Sequence, residues 1–490
     1  MKNSTAITLA ALGTLGVAGL GYALYFDYKR RNDPTFRKKL HREKKKAMKQ
    51  QEEKEKLVQS QLVVSVERAL DKALVEPFPT SREDKERMFM EHVAQGEAAV
   101  AGGEAHYEDA AVAFYRALKI YPDPLELIMI YQKTVPKDVL NIIMGMLSQD
   151  VKRRQENYYN TFPPEDMHVK IQDLSGNVDK DQPGKRKVVV AQQDFAVGDI
   201  IYSESPEVSI LMPSVKGEPY CDFCLHAIAD PTTQQTCDNC DVVRYCSTDC
   251  KDKAYEENHR YLCPGNVSDP NPVAQQLYDT WADRRELAPL LIAKFFGHMI
   301  AVEKQKQLAG TEGDYTVWER LEHLEFLSVD GSSDDKGNQK AICELVGRKV
   351  SGLEDFMTEE RYLSLKGKML YNAIGVRAPT NDDAAPSMGA SPASEYVRAA
   401  GTSDLVGAGI YLVSSYIKHS CEPNVVPTFP EGTNRLSIKV THPIKKGEEI
   451  TMAYVNVGDR PTEARQQELY QKYRFTCTCP RCTEALMGQD

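Results

Sequence analysis

Eight candidate metal ligands lie within forty-three residues of this chain and are spaced as four pairs. Two residues separate the partners in the first two pairs, and three residues separate them in the last two. In chain order the pairs are Cys221/Cys224, Cys237/Cys240, Cys246/Cys250 and His259/Cys263. These spacings are typical of two tetrahedral zinc sites, each closed by four protein ligands. A closed site folds a short segment with a binding free energy of about 10–16 kcal/mol near neutral pH. It leaves no open position for chemistry.

The other five cysteines suggest a third metal site. Cys477, Cys479 and Cys482 lie close together near the C-terminus. Three thiolates need a fourth ligand, for which Cys421 is the best candidate, whereas Cys343 is expected to be an ordinary buried residue. A disulfide cluster is the alternative interpretation. It is less compatible with a chain that faces the cytosol, where thiols stay reduced.

An uncharged run near the N-terminus predicts a transmembrane anchor at residues 1–26. Residues 5–26 hold no charge, and a helix of this length spans about 33 Å, enough for a hydrocarbon core of about 30 Å. Aromatic residues end the run and basic residues follow it, from Lys29 to Arg31. The positive-inside rule then places the bulk of the chain in the cytosol. A cleavable signal peptide is the alternative, but its basic residues should precede the apolar run.

The segment after the anchor is basic, although the whole chain is acidic. The net charge is −10 over 490 residues, which argues against nucleic acid as a partner. Residues 27–56 nevertheless hold 13 Lys+Arg against 6 Asp+Glu. We expect residues 27–80 to form a basic linker, of which the run 29–56 is solvated and largely helical. A spacer with stop-transfer charges is favoured over a specific binding role, and attraction to the anionic headgroups of the lipid bilayer would be a by-product.

Residues 81–155 predict an all-α unit. Apolar residues at helical spacing predict helices at Asp84–Val100 and Tyr107–Ile120, a third opened by Pro124, and a fourth at Lys137–Arg154. Two such helices joined by a short turn are similar to one tetratricopeptide (TPR-like) hairpin. A single hairpin needs further helices to cover one of its faces.

Three segments of this part carry a resemblance to a known family. They are YFDYKRRNDP at residues 25–34, FMEHVAQGE at 89–97 and QKTVP at 132–136. Together with the anchor they resemble the small presequence receptor of the mitochondrial outer-membrane translocase, the TOM complex. The resemblance covers about the first 150 residues. It implies a single-pass protein of the mitochondrial outer membrane, with presequences and other translocase subunits as partners.

The same resemblance implies a shallow apolar groove that holds the apolar face of a presequence helix. Acidic Glu91 and Glu97 near its rim would favour basic presequences, although Ala98 stands where the family often has a second acidic residue. Each of the groove residues could instead be plain core. Carried over by position, the presequence-binding residues are Phe89, Val93, Leu127, Ile130 and Tyr131.

The rest of the chain alternates between strand-like and helical patterns. Strand-like runs occur at Lys187–Ala191, Asp199–Ser203, Leu436–Val440 and Glu449–Tyr454, and residues 272–375 between them are helical in pattern. This order predicts an α+β fold in which one domain is split by an insertion.

Three segments of this part resemble the SET–MYND methyltransferase family: the cysteine-rich segment Cys221–Cys263, HSCEPN at 419–424 and GEEITMAY at 447–454. The resemblance covers roughly residues 180–482 and implies a multidomain chain. Its expected parts are the SET N-terminal part at 180–220, a MYND zinc finger at 221–263, a helical insert at 270–375, the SET core at 395–460 and a post-SET zinc tail at 461–490 with Cys421 as the fourth ligand.

Members of that family transfer a methyl group from S-adenosylmethionine to a lysine amine, which must be neutral to attack. Deprotonating it near pH 7 costs about 4.6 kcal/mol. The resemblance gives Tyr454 the catalytic role, through a hydroxyl that orients the amine. It gives His419 and Asn424 a role in binding the cofactor. The alternative for Tyr454 is a buried tyrosine with a satisfied hydroxyl.

Two departures from the family pattern fall on the cofactor pocket. Arg186-Lys187-Val188 stands where the family has Gly-x-Gly, and Lys418 stands where asparagine normally precedes His419. A second cation about 5 Å from the sulfonium would cost roughly 3 kcal/mol at an effective dielectric constant near 20. Both changes argue against catalysis, whereas the zinc ligands are complete.

The sequence therefore predicts a presequence receptor with a C-terminal SET–MYND module whose catalytic competence is in question. A membrane-tethered lysine methyltransferase is the alternative function. A third hypothesis, compatible with the first, is a scaffold whose MYND finger binds proline-containing peptides. Two families in one chain also leave open an erroneous gene join near residues 150–180, which the mass of the mature protein would test.

Overall fold

The computed structural model describes residues 62–79, 82–121, 124–174, 186–215, 217–309, 315–347, 353–378 and 405–487. They belong to two units, Met1–Arg154 and Gln155–Asp490. The predicted anchor at 1–26 and most of the linker at 27–80 lie outside the described residues. Among the residues described, no helix combines the length and the apolar character needed to cross a membrane.

The first unit is helical, and its described part begins earlier than the sequence predicts. Residues 62–74 form a helix, although they were assigned to the linker. Val66, Leu70 and Ala73 are buried in it, and their spacing places them on one face. The segment predicted as linker therefore includes a packed helix, whose apolar stripe is short and follows a long basic run. The helices that follow are Arg82–Ala101, Tyr107–Ile120, Pro124–Thr134 and Lys137–Thr161.

The helix Tyr107–Ile120 is the centre of this unit. Its residues Phe114 and Leu118 are at most 3% exposed and pack in one apolar cluster with Leu70. Gly96 permits the close approach of its own helix, since a Cβ there would lie 2.6 Å from the Phe114 ring. The predicted bounds of this helix agree with the structure.

A buried arginine on that helix closes the C-terminal end of the first helix. The Arg116 guanidinium donates to the carbonyl oxygens of Ala73 (2.5 Å) and Glu76 (3.1 Å), and also to His92 Nε2 at 3.0 Å. The last carbonyls of a helix have no partner within the helix. Arg116 therefore satisfies the helix carbonyl of Ala73 and also binds that of Glu76 just beyond the helix, which fixes residues 62–76 to the bundle.

The second unit combines short strands with a helical insertion. The strands are β1 Val169–Leu174, β2 Arg186–Ala191, β3 Ile200–Glu204, β4 Val208–Leu211, β5 Gln235–Thr236, β6 Arg244–Tyr245, β7 Ala373–Arg377, β8 Leu405–Ile410, β9 Lys418–His419, β10 Val425–Thr428, β11 Leu436–Val440 and β12 Thr451–Met452. They form sheets with the strand orders β1-β2, β10-β11-β3, β12-β9, β4-β8-β7 and β5-β6. Of these pairings, β12 with β9 is parallel and the others are antiparallel.

The helices of this unit lie mostly between β6 and β7. The helix Ala288–Ala309 is its centre, with Ile292, Phe295 and Phe296 fully buried. The helices are Thr248–Ala254, Arg260–Leu262, Pro272–Asp283, Ala288–Ala309, Val317–Glu322, Ser333–Gly347, Leu353–Phe356, Glu359–Asn372, Thr462–Tyr473 and Pro480–Met487, with a π-helical turn at Tyr255–His259.

Two boundaries of the predicted split domain differ from the structure. The strand β1 lies before the predicted start at residue 180 and pairs with β2 along its whole length. The strand β7 occupies the end of the segment predicted as helical insert and pairs with β8. Its residues are buried almost throughout, and a short apolar run of this kind has no periodicity that separates strand from helix.

Candidate functional site

The twelve predicted metal ligands come together in three groups of four. Within each group the candidate ligand atoms lie within 4.8 Å of one another. The first two groups interleave along the chain. One group combines the first and third sequence pairs, and the other combines the second and fourth pairs. The groups are Cys221, Cys224, Cys246 and Cys250; Cys237, Cys240, His259 and Cys263; and Cys421, Cys477, Cys479 and Cys482.

The distances inside the groups fit a tetrahedral metal. In the first group the Sγ atom of Cys246 lies 3.6 Å from that of Cys224 and 3.6 Å from that of Cys250. In the second group Cys237 Sγ lies 3.8 Å from Cys263 Sγ. Sulfurs that share a tetrahedral zinc at about 2.3 Å are separated by about 3.8 Å. Each group can therefore hold one metal ion without large movement.

The disulfide alternative is not supported. All twelve cysteines lie in described segments, and all are free. A disulfide would bring two sulfurs to about 2.05 Å, much closer than the separations in these groups. The remaining cysteine, Cys343, is buried in the core of the second unit, as the sequence predicts.

Two side chains outside the third group contact its sulfurs. Arg465, which is 2% exposed, donates from Nε to Cys421 Sγ at 3.4 Å, and His419 Nε2 lies 3.4 Å from the same sulfur. A contact from Cys477 is the main reason that the pKa of Cys421 is lowered to about 3, and His419 and Arg465 add to the effect. Four thiolates around one divalent ion would carry a net negative charge, which Arg465 would compensate. No local sequence pattern indicates Arg465, since its contacts form only when the tail folds back.

His419 joins the third group to Tyr454. The backbone N–H of Tyr454 donates to His419 Nδ1 at 3.0 Å. Nδ1 is therefore unprotonated, and in a neutral ring the proton lies on Nε2, the atom that faces Cys421. The Tyr454 hydroxyl donates to the carbonyl oxygen of Ile417 at 2.7 Å, and the residue is 1% exposed. The predicted catalytic residue is thus buried and hydrogen-bonded.

The side chain of Asn424 is occupied by backbone groups. Its Nδ2 donates to the Glu449 carbonyl at 2.8 Å, and its Oδ1 accepts from the Thr451 backbone N–H at 2.8 Å. These bonds hold the HSCEPN segment against the strand β12. Both polar atoms of the Asn424 amide therefore have hydrogen-bond partners within the chain.

Lys418 has a partner that the sequence does not reveal. Its Nζ lies 2.5 Å from Glu325 Oε1, and its side chain is 8% exposed. The repulsion argument made from Lys418 alone is therefore incomplete, because Glu325 offsets much of the ammonium charge. The two lie 93 positions apart in sequence, so no local pattern could have paired them.

Residues 186–188 and 416–419 are called the donor face below, because they contain the positions 186–188, 418 and 419 that the resemblance assigns to the methyl donor. The Lys187 ammonium lies 3.9 Å from the ring centroid of Tyr159, and the Tyr159 hydroxyl lies 3.2 Å from that of Tyr416. One aromatic ring thus contacts both segments of the donor face. Together with the ion pair of buried Lys418 and partly exposed Glu325, it leaves a donor face that does not fit S-adenosylmethionine as it stands.

Ion pairs fix the cysteine-rich segment to the helix Ala288–Ala309. Lys294 Nζ lies 3.1 Å from Asp222 Oδ2. His298 lies between two carboxylates, at 3.3 Å from Glu207 and 3.2 Å from Glu257. Burial alone would lower the pKa of His298, but its bonds to Glu207 and Glu257 outweigh burial and raise the pKa to about 9.

The predicted groove residues of the first unit divide into two kinds. Leu127 and Tyr131 are 4% and 3% exposed and belong to the apolar core. Phe89 and Val93 are half-buried, and Ile130 is 43% exposed. Only the last three retain apolar surface that a partner could cover.

Comparison with known proteins identifies both parts of the chain. The family described as MAS20 protein import receptor matches residues 9–160, and the SET domain family matches residues 186–455. The chain belongs to both families. Its first part is a homologue of the Tom20 import receptor, and a SET domain occupies more than half of its length.

Individual relatives agree with this assignment. The mitochondrial import receptor subunit tom20 of Neurospora crassa is 42% identical over 144 residues, which are 29% of this chain and 78% of that protein. TOM20 of Saccharomyces cerevisiae is 33% identical over 30% of this chain and 82% of that protein. The protein-lysine N-trimethyltransferase SMYD5 of Danio rerio is 24% identical over 62% of this chain and 86% of that protein. The receptor unit and the SET unit are therefore each covered by relatives over most of the relatives' own lengths.

Proposed function

We propose that this protein is a presequence receptor of the mitochondrial outer membrane that works with other subunits of the TOM translocase. The observation that carries the proposal is the half-exposed apolar surface of Phe89, Val93 and Ile130 on a packed helical unit of the MAS20 family. Such a surface suits the apolar face of an amphipathic helix, the form in which basic presequences would bind. Leu127 and Tyr131 support it from the core beneath.

A single substitution tests this surface. Ile130→Asp in the full-length protein should weaken binding of a fluorescent presequence peptide by at least about tenfold, because a carboxylate would be buried against the apolar face of the peptide. Ile130 is 43% exposed, so the fold should tolerate the change. Val75→Asp is the matched control, since Val75 is an apolar residue of the same unit that is 79% exposed. Equal affinity of both variants for the peptide would contradict the proposal.

The location follows as part of the same proposal. The uncharged residues 5–26 would form a single-pass anchor in the lipid bilayer, with both units in the cytosol. Protease added to intact mitochondria should remove both units. Resistance of the protein to that protease would contradict the proposed topology.

We further propose that the three ligand groups hold zinc, two in a MYND-type finger and one in a post-SET tail. Thiolate and imidazole ligands, four per group and without a carboxylate, are the donors that structural zinc prefers. The finger would then be a folded surface for proline-containing peptides. Elemental analysis of the purified protein should find three zinc ions per chain. A smaller number would mean that at least one of the proposed sites does not bind zinc.

The alternative function is a membrane-tethered, S-adenosylmethionine-dependent lysine methyltransferase. It is favoured by the well-packed His419–Tyr454 pair and by relatives named as trimethyltransferases. Incubation of the full-length protein with labelled S-adenosylmethionine and candidate protein substrates would separate the two functions. Transfer of the label that Tyr454→Phe abolishes would establish the enzyme.

A further inference from the structure

The residues that close the donor face come from an unexpected part of the chain. The helix Lys137–Thr161 begins in the first unit and ends in the second, where its last two turns carry Tyr158 and Tyr159. Both residues lie within the segment matched to the import receptor family, which ends at residue 160. They nevertheless pack among residues of the SET unit.

Tyr158 anchors this helix end. It is 2% exposed, and its ring stacks on His323 with the centroids 4.1 Å apart and the planes 6° from parallel. The Phe162 ring also stacks on that of Tyr158, with the centroids 4.8 Å apart and the planes 23° from parallel. An aromatic stack of this kind holds the backbone of residues 158–162 at a fixed distance from His323.

Three contacts hold the Tyr159 side chain, one at its ring and two at its hydroxyl. The Lys187 ammonium lies over its ring, its hydroxyl lies 3.2 Å from that of Tyr416, and the same hydroxyl lies 3.3 Å from His323 Nδ1. Lys187 is itself fixed by Asp173 at 3.0 Å. Rotation of the ring away from the donor face would break all three contacts.

Tyr416 extends the contact to the segment before His419. Its hydroxyl also donates to the His323 carbonyl at 3.2 Å, and the residue is 3% exposed. Two residues later, Lys418 pairs with Glu325, which is itself two residues after His323. The helix end, residues 323–325 and the donor face therefore form one contiguous cluster, in which the Tyr159 side chain contacts both donor-face segments.

We infer that Tyr159 fills the donor face and prevents this SET unit from binding S-adenosylmethionine. The segment matched to the import receptor thus supplies an internal occupant for the site of the module that follows it. This inference goes beyond the receptor function and does not depend on it.

Equilibrium dialysis of labelled S-adenosylmethionine against the full-length, zinc-loaded protein tests the inference. Tyr159→Ala should bind the donor at least about tenfold more tightly than the wild type. Tyr159→Phe should stay closed, because the ring and its contact with Lys187 remain. Tyr470→Ala is the control, since it removes the same side chain from a position that is 58% exposed and should leave donor binding at the wild-type level.

Lys187→Gly gives a second measurement that does not remove an aromatic residue from the cluster. The Lys187 side chain is 32% exposed, so its removal should preserve the fold while freeing the Tyr159 ring on one side. It should also raise the affinity for the donor. Thermal unfolding of each variant would identify any that fail to fold.

Three results would overturn the inference. The wild type could bind the donor as tightly as Tyr159→Ala. The folded variants Tyr159→Ala and Lys187→Gly could both fail to bind it. Finally, Tyr159→Ala could abolish binding that the wild type shows, in which case the ring stacks on the donor's adenine instead of excluding it. Presequence-peptide affinity, measured in parallel, should be the same in all variants, so a failure here would be distinct from a failure of the receptor proposal.

Discussion

The metal-ligand groups and the donor face of the SET unit differ in what their side chains contact. In the three ligand groups, the sulfurs and the histidine nitrogen face one another at distances that a tetrahedral ion would require. At the donor face, Lys187, Tyr416 and Lys418 are already paired with other side chains of the same chain. The ligand groups have an arrangement that suits a metal ion, whereas the donor face is filled by side chains of the chain itself. A fold can therefore keep the elements that determine its shape while the place for its cofactor is used for packing.

The largest effect is expected at the third ligand group. Cys421→Ser should reduce the bound zinc from three ions to two, because a hydroxyl is a much weaker zinc ligand than a thiolate. It should also destabilise the helices Thr462–Tyr473 and Pro480–Met487, which carry or flank the other ligands. Zinc content by elemental analysis and a thermal melt would measure both effects.

The control for this substitution is Cys343→Ser. Cys343 is also buried, at 7% exposure, but belongs to none of the three groups. It should keep all three ions. If both variants retained the same amount of zinc, the contrast between complete metal groups and a filled donor face would disappear.

The next effect concerns pH and the attachment of the cysteine-rich segment. The pKa of His298 is raised to about 9 in the folded protein, above its ordinary value of about 6.5. Its pairs with Glu207 and Glu257 are therefore fully stabilising below about pH 6.5 and are lost as the pH rises through about 9. The contribution is roughly 3 kcal/mol, since each pKa unit corresponds to about 1.4 kcal/mol.

Urea unfolding of the wild type and of His298→Gln would measure this contribution. The difference in unfolding free energy between the two should be largest near pH 6 and should shrink towards about pH 10. A difference that stays constant over this range would show that the histidine is neutral and only packs between its neighbours.

The smallest effect is expected at the donor face itself. Glu325→Gln should destabilise the protein by about 1 kcal/mol, because Lys418 is buried but its partner is partly solvated. Asp194→Asn, which breaks an exposed pair with Lys445, should cost less. Chemical denaturation would compare them, and equal costs would mean that the donor-face pair behaves as an ordinary surface pair.

The sequence predicted contacts that depend on short spacing and missed those that depend on distant segments. Each cysteine pair was visible because its partners are separated by two or three residues, and the helix Tyr107–Ile120 was visible because its apolar residues repeat at helical spacing. Which pairs share an ion could not be read from the sequence, since Cys221 and Cys246 meet only after the strands β5 and β6 form between them.

The contacts at the donor face also depend on segments that are distant in sequence. Lys418 and Lys187 stand out in the sequence because they depart from a family pattern. Their partners Glu325 and Tyr159 cannot be predicted, because nothing within a few residues of either lysine indicates them. The helix at residues 62–74 is hard to predict for a different reason. Its apolar stripe is short and follows a long basic run, so the composition of the whole segment is that of a linker.

The pairing of β1 with β2 has a practical consequence for anyone who separates the two halves of this protein. The SET family match starts at residue 186, the first residue of β2, so a fragment cut there would lose the neighbouring strand over all six paired positions. The backbone groups of β2 would then face solvent as an open edge, which invites self-association. A fragment of the second half that keeps this edge covered should therefore begin before Val169, the first residue of β1.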